Sequence, residues 1–147
     1  MEVQSHEGQE AHPCRRSEQT TTVRKQYHLQ PAGDGFDAWD VDRLIELSCG
    51  LPVKQVAVES IAEIDSSYWF DGSGEPPTVR KVAEHARLIF EADLTYPIIL
   101  GHDGRVMDGM HRVARALMEG RVEIGAVQFP SPLEPDYRSC QPSDLPY

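Results

Sequence analysis

Apolar residues along this chain fall in short periodic runs, and the period changes from one run to the next. The strongest run lies at 78–90, where Val79, Val82, Ala83, Ala86, Ile89 and Phe90 recur at helical spacing and form one continuous face, with Thr78 as N-cap. Upstream, Asp40 caps a shorter helix that turns Val41, Leu44 and Ile45 inward, with Gly50 past its end and Pro52 blocking continuation. Val56 and Val58 alternate with Gln55 and Ala57 and predict a strand around Gln55–Val58. The stretch 71–77 has loop composition.

Beyond Leu94 the period shortens. Tyr96-Pro-Ile-Ile-Leu100 reads as a strand, His102-Asp-Gly104 as a turn and Arg105-Val-Met107 as the returning strand of a hairpin. A helix starts near Met110, presents Met110, Val113, Ala114 and Leu117 on one face, and stops at Gly120. Val122, Ile124 and Ala126 then alternate inward, with Val127 and Phe129 on the opposite phase. The order α, β, α, β-hairpin, α, β predicts a small α+β domain with a mixed sheet.

The runs occupy residues 36–130, an ordinary size for one domain. Residues 1–26 are polar and aperiodic and predict a disordered leader. The tail 131–147 is proline-rich and predicts extended, irregular chain, with Leu133, Tyr137, Leu145 and Tyr147 available to pin it. No run approaches the length of a membrane span, and the leader has no apolar core of a secretory signal. Three cysteines without a CxxC spacing point to a reducing compartment, so a cytoplasmic protein is expected.

The formal charge of −10 is unevenly placed. Ten carboxylates lie between Asp34 and Glu75 against Arg43 and Lys54, whereas 80–121 holds seven bases against six acids. Such a surface repels nucleic-acid phosphates, so DNA binding by this chain alone is disfavoured. A phosphate is expected instead at one local site within 80–121.

Asp108-Gly-Met-His-Arg112 is the densest cluster of functional groups, at a strand-to-helix junction. The first turn of a helix carries N–H groups without intrahelical partners, and its dipole favours an anion there. Gly109 admits close approach of the backbone to a ligand, His111 and Arg112 can donate to phosphate oxygens, and Arg115 shares the face of His111.

The apolar helix, YPIIL, the turn and GRVMDGMHRVARAL together resemble the ParB/sulfiredoxin superfamily over residues 53–129, most closely over 96–118. The resemblance implies nucleotide phosphates held at Gly109, Met110, His111 and Arg112, with Met110 contributing its backbone N–H. Met110 stands where sulfiredoxins carry their reactive cysteine, which excludes that reductase chemistry. Partition proteins carry Gly-Glu-Arg-Arg there, of which only Gly109 and Arg112 match. The free-serine kinase branch carries Asp-Gly-His-His-Arg, and Asp108, Gly109, His111 and Arg112 match four of those positions.

The kinase branch uses a carboxylate base after the first strand, for which Asp65 and Glu63 are the candidates here. It implies ATP or another nucleotide, Mg²⁺ held with help from Asp108, and a small hydroxyl-bearing substrate. The expectation is a ParB-like nucleotide-binding domain that acts as a phosphotransferase. Its alternative is a non-catalytic regulatory or partition-associated module working through a protein partner, with a nuclease ranked third.

Overall fold

The computed structural model describes residues 25–70 and 76–147. The leader as far as residue 24, and 71–75 of the expected loop, lie outside the described residues. Among the described residues, seven strands and three α-helices follow in the order β1 (Tyr27–Ala32), β2 (Gly35–Asp40), α1 (Val41–Ser48), β3 (Lys54–Ala57), α2 (Val79–Glu91), β4 (Ile98–Leu100), β5 (Val106–Asp108), α3 (Met110–Met118), β6 (Glu123–Gln128) and β7 (Tyr137–Cys140). Two 3-10 turns, Val58–Ser60 and Ala62–Asp65, lead out of β3.

The strands form two sheets. One is antiparallel in the order β1-β2-β7; the other is mixed, β3-β6-β4-β5, with β4 parallel to β6 and the remaining pairs antiparallel. The mixed sheet is apolar on both faces because its residues alternate between two cores. Ile98, Leu100, Val106, Ile124 and Ala126 meet Met110, Val113 and Ala116 of α3, together with Val58 and Ile61. Ile99, Met107, Val127 and Phe129 point the other way, to Leu44 of α1 and Trp39 of β2. The molecule is therefore layered as α3, mixed sheet, then α1 with the second sheet.

The helix caps are those the sequence predicts. Asp40 accepts from the Asp42 N–H at 2.9 Å, and Thr78 accepts from the Lys81 N–H at 3.2 Å. Each such cap contributes about 1 kcal/mol. No helix among the described residues is long and apolar enough to cross a membrane.

Four features differ from the sequence reading. The hairpin β1-β2 begins ahead of residue 36, turning at Gly33-Asp34 with Gly33 at a φ of 60°. Pro31 masks β1 in the sequence; it is tolerated because β1 is an edge strand. The tail is ordered: β7 pairs with β2, Leu145 is buried, and Tyr27 packs edge-on against Tyr137 and Tyr147. Val122 points to solvent rather than inward, since it precedes β6 and only its carbonyl is used, by the Val58 N–H. Lastly, no residue of α2 is buried. A continuous apolar face ordinarily turns to a core, but α3 already covers that side of the sheet, and α2 packs on α3 instead.

Candidate functional site

The junction between β5 and α3 is built around Gly109, which caps α3 in the left-handed region at a φ of 105°. A β-carbon there would lie 2.8 Å from Ile98 Cγ2 and about as close to the Arg112 guanidinium, so both the backbone and the space require glycine. The Gly109 carbonyl accepts from the Val113 N–H and closes the first turn, leaving the three amides before it without an intrahelical acceptor. Met110 turns its side chain into the core, so only its backbone faces the junction.

Arg112 holds the junction together. Its guanidinium donates to the Asp108 carboxylate at 2.8 Å and to the Pro97 carbonyl at 2.9 Å, joining the start of β4, the end of β5 and the first turn of α3. Both members of the ion pair are mostly buried. Arg115 turns away from the junction, to Glu119 and to the Phe90 carbonyl at the end of α2. Neither arginine therefore presents an uncommitted fork, and Asp108 already faces a cation where a metal was expected.

The two candidate bases separate. Glu63 accepts from the Val106 N–H at 3.0 Å, and the Tyr68 hydroxyl donates to the Val106 carbonyl at 3.4 Å. Strand β5 is the outer strand of the mixed sheet, so these two side chains occupy the outward-facing polar groups of Val106 and blunt the edge. Burial, with the Asp108 and Glu63 carboxylates nearby, pushes the Tyr68 phenol up to about 12, which keeps it a donor. Asp65 ends its 3-10 turn exposed to solvent.

Beside the junction lies a cluster that sequence reasoning did not assemble. His85 of α2 and His111 of α3 meet with Nδ1 and Nε2 2.9 Å apart. Their ring centroids are 5.1 Å apart and their planes 20° apart, so the two nitrogens point at each other as in a hydrogen bond and do not converge on a shared metal. Both imidazoles stack on Trp69, at 4.6 and 4.7 Å, and Phe70 meets His85 edge-on. One face of Trp69 is thus taken up by the two histidines.

Burial pushes His111 down to about 4, with His85 and Arg112 adding to the effect; burial also lowers His85, helped by Lys81 and opposed by Glu84. The pair is therefore neutral near pH 7, one ring donating and the other accepting. The only sequence signals were that His85 flanks the apolar stripe of α2 and His111 opens α3; their meeting depends on how the helices pack.

Among the described residues no group of three or more His, Cys, Asp or Glu side chains could hold a metal ion. A Mg²⁺ ion at this junction would come with nucleotide phosphates rather than from a cage of protein oxygens. No protein-family model, no curated protein and no solved structure matches the chain.

Proposed function

We propose that this chain is a ParB/sulfiredoxin-like nucleotide-binding module that holds phosphate at the N-terminus of α3. The observation that carries the reading is the β5–Gly109–α3 junction, where a left-handed glycine precedes first-turn amides that lack intrahelical acceptors. His111, in that first turn and half-exposed, supplies a side-chain donor once its ring is released from His85.

Between the two forms of this reading, the carboxylates favour the non-catalytic one. Asp108 is paired with Arg112 and Glu63 with a backbone N–H, so two of three candidate acid–base groups already have structural partners. Asp65 alone is left for phosphoryl transfer to a hydroxyl-bearing metabolite. A regulatory module that binds ATP or another nucleotide, with Mg²⁺, and signals to a protein partner needs none of them as a base.

The test is an amide-resolved NMR titration with ATP, ADP and CTP, each with Mg²⁺. The expected result is shifts centred on residues 109–112. No response at millimolar nucleotide overturns the reading. Nucleotide-dependent phosphorylation of a hydroxyl compound, lost in Asp65→Asn with binding retained, would replace the non-catalytic form by the phosphotransferase.

A further inference from the structure

Helix α2 is attached unusually lightly. None of its thirteen residues is buried, and Val79, Val82 and Phe90 are 89%, 50% and 64% exposed. Only His85, Ala86 and Ile89 are half-covered, so lifting the helix returns little apolar surface to water. Both ends stop abruptly in extended backbone, at Thr78 and at Ala92. Exposed Pro76 and Pro77 precede the first.

What holds α2 down is local and polar. His85 is hydrogen-bonded to His111 and stacked on Trp69, and one helix turn further on the Phe90 carbonyl accepts from Arg115. His85 also takes up the Nε2 atom of His111, a side chain of the first turn of α3.

We infer that α2 is a hinged cover over the N-terminus of α3, latched by the His85–His111 hydrogen bond, which opens as a unit and frees His111. Opening is a property of the protein alone. That it uncovers a phosphate site rests on the proposed function.

Because the cover gives up few contacts, it opens far below the free energy of global unfolding, whereas the strands of the mixed sheet exchange only when the whole domain unfolds. Once lifted off α3, a thirteen-residue helix is only marginally stable in water and melts, so hydrogen–deuterium exchange of the full chain without ligand reads the opening through the α2 amides. The amides of α2 should exchange at least about tenfold faster than those of β4 and of the buried half of α3. His85→Ala, on a helix with no buried side chain, should accelerate α2 by a further several-fold while leaving β4 unchanged.

Equal protection of α2 and β4 would overturn the cover, because α2 would then open only with the whole domain. Unchanged α2 exchange in His85→Ala would overturn the latch. Fast α2 exchange that responds to His85→Ala, in a protein none of whose amides responds to nucleotide, would uphold the cover and reject the phosphate reading.

Discussion

Arg112 donates to Asp108 four residues before it and, through its other terminal nitrogen, to the Pro97 carbonyl fifteen residues before it. One side chain thus fixes where β4 begins, where β5 ends and how α3 departs. A planar guanidinium spans two acceptors in this way; an ammonium is a single compact donor.

Arg112→Lys should therefore cost about 1–2 kcal/mol in urea unfolding, and Arg112→Ala about 2–4 kcal/mol, because it leaves the mostly buried Asp108 carboxylate unpaired. If Arg112→Ala unfolds with the midpoint of the wild type, the junction is not held by this pair, and Arg112 is free for a ligand after all.

Gly109→Ala meets two penalties together. A left-handed φ costs an alanine about 1–2 kcal/mol, and the new methyl group presses on Ile98 at the core. A total loss of about 3 kcal/mol is expected by chemical denaturation, against a gain of about 0.4–1 kcal/mol for Gly50→Ala, where a β-carbon meets open space outside the left-handed region. Equal effects at the two positions would show that the junction yields without strain.

Much of the fold was legible because local chemistry and global packing agree. Asp40, Thr78, Gly104, Gly109 and Gly120 punctuate the chain where caps and turns are found, and the apolar periods of β4 and β5 are obeyed, whereas in α3 Ala116, not Leu117, joins Met110 and Val113 in the core. The failures occur where distant segments decide. Strand β1 carries a proline and is stabilised by β2, while β7 is built only because β2 offers an edge more than ninety residues upstream.

At the site, the Asp108–Gly109–Met110–His111–Arg112 run was visible, but side-chain commitments were not. That Arg112 turns back to Pro97, that Glu63 caps Val106, and that His111 meets His85 all depend on tertiary contacts. An amphipathic period likewise does not say whether its stripe is covered, and in α2 it is not.

Three histidines, His28, His85 and His111, are held below their ordinary range by burial and make the protein acid-sensitive. Burial holds His28 at about 4 despite Asp103 nearby, and its Nε2 lies 3.2 Å from the Gln30 amide nitrogen, a contact the neutral ring accepts and a protonated one does not. His111 is likewise held at about 4. Between pH 6.5 and 4 the unfolded chain binds protons that the folded chain refuses, so stability is complete above 6.5 and falls as pH drops through this window.

His28 alone implies a loss of about 2 kcal/mol on going from pH 7.5 to pH 5, with a smaller share from the more exposed His111. Urea midpoints at the two pH values measure it. His28→Gln should remove most of the difference; a wild-type midpoint that rises on acidification would reverse the sign and refute the assignment.

Trp39 ties the tail to the domain. Its ring is buried in the second core, and its indole N–H donates to the Leu133 carbonyl at 3.1 Å. Trp39→Phe keeps an aromatic ring but loses the donor and should cost about 1–2 kcal/mol. Limited proteolysis should then cut sooner between residues 130 and 136, ahead of any cleavage in β4–β6. Unchanged cutting would mean that the Arg43–Asp136 pair and β7 hold the tail without the indole.

Glu63 separates a structural carboxylate from a catalytic one. Glu63→Gln retains an oxygen for the Val106 N–H, so unfolding should move by less than about 1 kcal/mol and nucleotide-induced shifts should be unaltered. Glu63→Leu removes the acceptor and should cost about 1–3 kcal/mol, with faster exchange of the Val106 amide on the open edge of β5. A base would behave in the opposite way, since an amide cannot take a proton from a hydroxyl. Phosphotransfer by the wild type that is lost in Glu63→Gln at unchanged stability would therefore make Glu63 catalytic and favour the phosphotransferase form of the proposal.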